Sequence, residues 1–124
     1  MSLWKFLAVF LGGGAGSTLR YWLAQALIGQ SLWGVPLPTL LANLLASGIL
    51  GLVWLAHLHD RQALTYVLLA SGFCGGLSTF STFAQDNVVL MVRFGWGAVA
   101  LNILFNVTLC TALAYILTRQ VAAS

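Results

Sequence analysis

The chain has 124 residues, of which 60% are hydrophobic and only 6% are charged, and its formal net charge is +3. Soluble globular domains carry about 25% charged residues, so this composition excludes an ordinary soluble domain and predicts an integral membrane protein. The five basic residues are scattered along the chain and form no patch of the kind that binds nucleic acid. We therefore expect one transmembrane domain, residues 1–124, with membrane lipid around it and no nucleic-acid partner.

The first predicted span covers residues 3–27, which is enough to cross a bilayer, since crossing takes about 20 residues. Its apolar run is long and has no evident small-residue cleavage site, so it is interpreted as a span and not as a signal peptide. Gly12 and Gly16 form a GxxxG pattern, which lets helix backbones approach closely. Arg20 follows inside the span, and it either marks a polar pathway or extends its side chain to the membrane interface.

The second predicted span, residues 39–56, follows a loop at residues 29–38 that contains both prolines of the chain. Asn43 lies within this span. An amide in hydrocarbon needs hydrogen-bond partners, so Asn43 either joins two helices or lines a polar pathway. The next loop holds His57 and His59. With one neighbouring acid in a short loop, these side chains are interpreted as solvated surface and not as a metal site.

The third predicted span, residues 63–92, contains the stretch GFCGGLSTFSTF at residues 72–83. The adjacent Gly75 and Gly76 weaken a helix here, because each glycine costs about 1 kcal/mol relative to alanine. Two interpretations remain. The stretch is either a close helix crossing whose hydroxyls bond to their own backbone, or a helix broken at an ion site. Irregular backbone at membrane depth has to be buried in protein or line a water-filled cavity.

Two features follow the glycine pair. Phe80 and Phe83 are three residues apart, so they share one face of a helix. Asp86 lies one turn further on and is interpreted as a hydrated carboxylate at a helix end near the interface. A third loop is predicted at residues 93–97.

The fourth predicted span, residues 98–117, carries a polar stripe. Asn102, Asn106 and Cys110 repeat every four residues and therefore share one helix face. Such a stripe is expected to face protein or water and not lipid. The only other cysteine, Cys74, also lies in a predicted span, so both cysteines are interpreted as packing residues and not as a disulfide.

Basic residues are nearly balanced between the two sides of the membrane. Four spans place both termini on one side, where Lys5, Arg61 and Arg119 fall, whereas Arg20 and Arg93 fall toward the other. Orientation depends on an excess of basic residues on one side, and this margin is thin. We therefore expect insertion in both orientations and pairing of two opposed copies about a two-fold axis in the membrane plane, which would bury the glycine faces.

Three segments resemble one known family. GFCGGLSTFSTF resembles the signature of the CrcB/Fluc fluoride channels, and GGGAGSTLRY (residues 12–21) and TLLANLLASGILG (residues 39–51) are similar to that family's other two segments, in the same order. The resemblance covers nearly the whole chain. It implies an all-α membrane protein with four transmembrane helices and a broken third helix, forming an antiparallel dual-topology homodimer. It also implies passive export of fluoride across the plasma (inner) membrane through two pores, which lowers fluoride toxicity.

The resemblance also implies site residues by position. The backbone carbonyls of Gly75 and Ser78 from both subunits would hold one structural sodium ion at the dimer centre. Roles in the ion pathway are implied for Asn43, Phe80, Phe83, Ser81, Asn106 and Arg20.

The sequence departs from the family pattern in its fourth span. The family's hydroxyl track would fall at Asn106, Cys110 and Ala114, none of which carries a hydroxyl. Thr108 and Thr111 are the alternative lining residues.

The chemistry of the residues fits fluoride, a small and strongly hydrated anion. The Asn43 amide and the nearby hydroxyls are donors, and the positive edge of a phenyl ring can face an anion. A small proton-coupled multidrug exporter is the first alternative, but it needs a membrane-embedded glutamate, and the two acids of this chain are Asp60 and Asp86. A non-conducting assembly subunit, whose glycines only pack, is the second. No nucleophile–base set points to an enzyme.

Overall fold

A computed structural model of the chain describes residues 2–123, and nearly all of them are helical. The helices are α1 (Leu3–Ala26), α2 (Leu37–Leu55), α3 (Leu64–Tyr66), a π-helical segment (Val67–Cys74), α4 (Gly75–Leu77), α5 (Phe80–Phe94) and α6 (Trp96–Ala122). A short hairpin joins α1 to α2, and its two antiparallel strands, β1 (Ser31–Leu32) and β2 (Val35–Pro36), have two residues each. The helix α2 begins before the predicted residue 39 because proline fits the first turn of a helix.

The third predicted span is interrupted after Leu77. Its first half, residues 64–77, is continuous and consists of α3, the π-helical segment and α4. Ser78 (φ −73°, ψ 153°) and Thr79 (φ −149°, ψ 119°) are then extended, and α5 begins at Phe80.

The interruption lies at the hydroxyl residues Ser78 and Thr79 and not at the glycine pair, which is helical. The Ser78 hydroxyl donates to the Cys74 carbonyl at 2.9 Å, and Thr79 Oγ1 accepts from the Thr82 N–H at 3.1 Å, so both ends at the interruption have side-chain partners. Threonine is a favoured residue for capping the start of a helix.

Glycines set the contact between α1 and the first half of the third span. A Cβ atom on Gly16 would overlap the Phe73 carbonyl oxygen and lie 2.8 Å from the Leu77 nitrogen. A Cβ on Gly76 would overlap the Gly13 carbonyl oxygen. Because the obstructing atoms are backbone, only glycine permits this approach.

The remaining helices pack through side chains. A Cβ on Gly51 of α2 would meet the Leu117 side chain of α6 at 2.9 Å.

A single residue, Gly95, separates α5 from α6, so the third loop is shorter than the predicted residues 93–97. Gly95 has a φ of 85°, which lies in the region that glycine adopts readily.

The buried core is small, and much of the apolar surface is open. The core cluster consists of Leu23, Ala42, Ala46, Cys74 and Leu77. By length and composition, three stretches within residues 2–123 can cross a membrane: Leu37–Leu55, Leu64–Phe94 and Trp96–Gln120. The 24-residue α1 is not among these three, and it contains four glycines, a lysine and an arginine. The chain is therefore an α-helical, multi-pass membrane protein.

Candidate functional site

Asn43 of α2 holds the interruption from one side. The backbone N–H of Thr79 donates to Asn43 Oδ1 at 3.1 Å. In a continuous α-helix the same N–H would donate to the carbonyl four residues earlier, that of Gly75. The side chain of Asn43 thus takes the place of a helical hydrogen bond where the third span opens.

Arg20 of α1 holds the interruption from the other side. Its Nε donates to the Gly76 carbonyl at 3.0 Å, and the Ser17 hydroxyl lies 3.4 Å from the same oxygen. Gly76 belongs to the last turn before the interruption, where carbonyl groups lose helical partners and cations interact favourably with them. Arg20 therefore caps the first half of the third span.

A cavity of about 310 Å³ lies beside the interruption, and we call it the Phe80 cavity. Five predicted site residues meet in its lining, which consists of Asn43, Ser47, Ser78, Thr79, Phe80, Phe83, Asn106, Val107 and Cys110. The rings of Phe80 and Phe83 are 6.0 Å apart at their centroids and tilted by 53°. Phe80 is 81% exposed in the single chain, so one wall of this cavity is open to its surroundings.

The lining of the Phe80 cavity is uncharged and places a few polar groups within a mainly apolar surface. The lining residues carry amides, hydroxyls, a thiol and two phenyl rings. None of the lining residues found within residues 2–123 is charged. Amide nitrogens and hydroxyls donate hydrogen bonds, and the edge of a phenyl ring carries partial positive charge. Such a lining suits a small anion.

Arg20 lies in a second cavity of about 290 Å³, which we call the Arg20 cavity. It is lined by Ser17, Arg20, Tyr21, Ala24, Pro38, Thr39, Thr79 and Thr82. Thr79 lines both cavities. The interruption therefore separates the phenyl rings from the guanidinium group.

Ser81 and Gly75 line neither cavity in the described part of the chain. The Ser81 hydroxyl lies 3.3 Å from Thr79 Oγ1 at the start of α5. Gly75 is exposed, and a Cβ atom there would meet only the Ala70 carbonyl oxygen, at 4.0 Å. The packing of a single chain thus gives no reason for a glycine at position 75.

The prediction of a helix-end position for Asp86 is wrong. Asp86 lies in the second turn of the 15-residue α5, and its Oδ2 accepts a hydrogen bond of 2.6 Å from the Thr39 hydroxyl. Thr39 is 6% exposed. The carboxylate thereby joins α5 to α2 beside the Arg20 cavity.

Sequence reasoning gave no individual role to Thr79, the residue common to both cavities. Its position was recoverable, because threonine directly before a run of helical residues is a start signal. Its backbone bond to Asn43 had no such signal, since it joins residues 36 apart in the chain.

The described residues contain no group of three or more histidine, cysteine, aspartate or glutamate side chains that could hold a metal ion.

The chain is similar to a family described as CrcB-like protein, Camphor Resistance (CrcB), whose sequence profile matches residues 7–117. Three of its relatives are each named "Fluoride-specific ion channel FluC". The protein of Cronobacter sakazakii is 44% identical over 115 residues, covering 88% of this chain and 89% of its own. That of Escherichia fergusonii is 42% identical over 116 residues, with coverages of 88% and 89%. That of Salmonella arizonae is 41% identical over 124 residues, with coverages of 94% and 95%.

Proposed function

The chain belongs to the CrcB-like family, and from this premise we propose that it is a fluoride-specific ion channel that exports fluoride passively and so lowers cytoplasmic fluoride toxicity. Its relatives are named as fluoride channels and not as enzymes. The Phe80 cavity carries the proposal, because it combines hydrogen-bond donors with two phenyl rings and lacks charged lining among the described residues.

The proposed channel is an antiparallel homodimer of four-span chains with a broken third helix, surrounded by lipid. The helix α1 is the remaining span, since its 24 residues give a length of about 36 Å at 1.5 Å per residue. The exposed ring of Phe80 and the open space at Gly75 support a second copy against this face. The thin bias of basic residues supports insertion in both orientations.

A structural sodium ion is proposed at the centre of this dimer, bound by the carbonyls of Gly75 and Ser78. The N–H of Thr79 donates to Asn43 and that of Thr82 donates to Thr79 Oγ1, so neither N–H closes the helical ladder on these two carbonyls. Two copies related by a two-fold axis would supply about four carbonyl oxygens, which are hard ligands suited to a hard cation.

Fluoride is proposed to pass the residues of both cavities. Arg20 would attract the anion at one mouth of the path, and Thr79 and Ser81 would offer hydroxyls at the interruption. The Asn43 amide and the edges of Phe80 and Phe83 would then replace water of hydration.

Fluoride efflux from liposomes that contain the purified protein tests the proposal. A fluoride electrode should record rapid release without a proton gradient, whereas chloride release, measured in matched liposomes, should stay near that of protein-free liposomes. Equal rates for the two anions would contradict a fluoride-specific channel. A strict need for a pH gradient would favour the proton-coupled exporter, and no flux of either anion would favour a non-conducting subunit.

A further inference from the structure

Four asparagine side chains form one hydrogen-bonded series that starts at the interruption of the third span. Asn43 Oδ1 accepts from the Thr79 N–H, and Asn43 Nδ2 donates to Asn106 Oδ1 at 3.0 Å. Asn106 Nδ2 donates to Asn102 Oδ1 at 3.0 Å, and Asn102 Nδ2 donates to Asn87 Oδ1 at 2.7 Å. We call these four side chains the amide series, and it links α2, α6 and α5.

Backbone groups fix the direction of the amide series at two points. The N–H of Thr79 can only donate, so the oxygen of Asn43 and not its nitrogen must face it. The backbone carbonyl of Asn102 can only accept, and Asn106 Nδ2 donates to it at 3.1 Å. Both requirements give the same direction of donation along the series, so the amide of Asn106 cannot be turned over without loss of hydrogen bonds.

The hydrogen-bond donors of Asn106 are committed within the protein. Its nitrogen carries two hydrogens and faces two oxygens of Asn102, while its own oxygen accepts from Asn43. Asn43, by contrast, has one N–H engaged with Asn106 and a second that is available in the Phe80 cavity. The amide donor for an anion in this cavity is therefore Asn43, although Asn106 also lines it.

The two central members of the amide series are buried, and this indicates that the series has a structural role. Asn102 is 1% exposed and Asn106 is 5% exposed. Polar groups buried without partners are destabilising, and a leucine of nearly the same shape would need no partners. Two buried asparagines at these positions are thus better explained by the orientation that they impose than by packing alone.

We propose that Asn106 and Asn102 are positioning residues that hold the Asn43 amide with its free N–H toward fluoride in the Phe80 cavity, and that Asn87 anchors the far end of the series. This inference rests on the proposed function of a fluoride channel. It differs from the sequence expectation, in which Asn106 has a role of its own in the ion pathway, because here Asn106 acts on the ion only through Asn43.

The test compares Asn102→Leu and Asn87→Leu with the unchanged protein in the fluoride-efflux assay, at matched amounts of folded protein. Asn102→Leu removes two hydrogen bonds of the series, the one donated to Asn87 and the one accepted from Asn106, and should lower flux roughly three- to tenfold. Asn87→Leu, at the half-exposed end of the series, should lower flux less, roughly twofold. Thr118→Val, on the same helix as Asn102 but outside the series, is the matched control and should leave flux unchanged.

A double substitution separates positioning from direct contact with the ion. In an Asn43→Ser background, Asn102→Leu should cause no further fall in flux, because the group that it positions is gone. A fall of the same factor in both backgrounds would overturn the inference, and so would unchanged flux in both leucine variants.

Nuclear magnetic resonance of the side-chain amides keeps the test decisive if Asn43→Ser itself abolishes flux. The two ¹⁵N–H signals of Asn43, assigned by their loss in Asn43→Ser, should shift in Asn87→Leu and on addition of fluoride, but not in Thr118→Val. Unshifted Asn43 signals in Asn87→Leu would refute the series as a positioning device. Absence of fluoride flux in the unchanged protein would instead refute the proposed function.

Discussion

Two helix contacts in this chain are built on opposite principles. Where α1 meets the first half of the third span, backbone touches backbone through Gly16 and Gly76. Where α2, α5 and α6 meet, the contacts include the amides of Asn43, Asn102 and Asn106. The first contact is specified by the absence of side chains, and the second by the direction of hydrogen bonds.

The difference indicates how each contact responds to substitution. The glycine contact should reject any added atom, whatever its chemistry, because backbone atoms cannot rotate away. The amide contact should tolerate changes of shape but not loss of a donor or acceptor. The two contacts meet at the interruption, where Arg20 of α1 holds the Gly76 carbonyl and Asn43 of α2 holds the Thr79 N–H.

The largest expected effect is that of Gly16→Ala, compared with Gly14→Ala. A Cβ at Gly16 would overlap the Phe73 carbonyl, whereas at Gly14 the corresponding Cβ has no atom of another element within 4 Å among the described residues. Overpacking a well-packed interior typically lowers the free energy of unfolding by roughly 1–3 kcal/mol. Because the obstruction here is backbone, the loss for Gly16→Ala should reach or exceed the upper end of that range. Size-exclusion chromatography should show little folded protein for Gly16→Ala.

Gly14→Ala should behave like the unchanged protein or be more stable by up to about 1 kcal/mol, because alanine favours helix. If both alanine variants fold equally well, the contact between α1 and the third span does not depend on backbone approach.

The sequence predicted the glycine contact better than the amide contact. The GxxxG pattern of Gly12 and Gly16 has a fixed spacing and a steric meaning, and the structure places both residues against the third span. The stripe of Asn102 and Asn106 was also visible in the sequence. Its partners were not, because the bonds to Asn43 and Asn87 depend on how separate helices are arranged.

The same reasoning explains the displaced interruption of the third span. Intrinsic propensity points to Gly75 and Gly76 as the weak position, but Gly76 is required against Gly13 and stays helical. Tertiary packing overrides propensity there. The chain opens instead at Ser78 and Thr79, whose hydroxyls supply local hydrogen bonds for the two ends.

The next effect concerns the phenyl rings, which belong to neither contact. Phe80→Ile and Phe83→Ile keep an apolar side chain but remove the ring edge that can face an anion. We expect fluoride flux to fall roughly five- to twelvefold, corresponding to about 1–1.5 kcal/mol for a lost aromatic interaction. Size-exclusion behaviour, measured in parallel, should be unchanged. If flux per folded channel stays normal while stability falls, the rings only pack.

A third prediction tests what covers the exposed position of Gly75. A side chain at Gly75 has open space within one chain, so Gly75→Val should fold. In the proposed dimer it should crowd the second copy and disrupt the cation site, whereas Ser78→Ala should keep the site because the backbone carbonyl is the ligand. The measurement is ²³Na relaxation on titration with each purified variant, together with the oligomeric state.

Equal sodium binding by Gly75→Val and the unchanged protein would contradict a cation between these carbonyls. A fluoride flux that reversed with an imposed sodium gradient would contradict a purely structural role for the ion, since a fixed cation does not travel with fluoride.

The smallest expected effect lies at the interruption itself, where the two contacts meet. Thr79→Ala removes the hydroxyl that accepts from the Thr82 N–H, but keeps the Thr79 backbone N–H that donates to Asn43. Loss of such a helix cap costs about 1 kcal/mol, within a range of roughly 0.5–2. We expect a modest fall in Tm and faster hydrogen exchange of the Thr82 amide, with α1 still packed against the third span.

Thr79→Ser, which keeps the accepting oxygen, is the control and should restore both the Tm and the exchange rate. The comparison of Thr79→Ala with Thr79→Ser tests whether the two contacts are independent. The cap belongs to α5 alone, so its loss should leave the glycine contact intact. If Thr79→Ala instead exposed the amides of residues 64–77 to exchange, the two halves of the third span would unfold together. The interruption would then transmit disorder between the two contacts, and they could not be treated as independent.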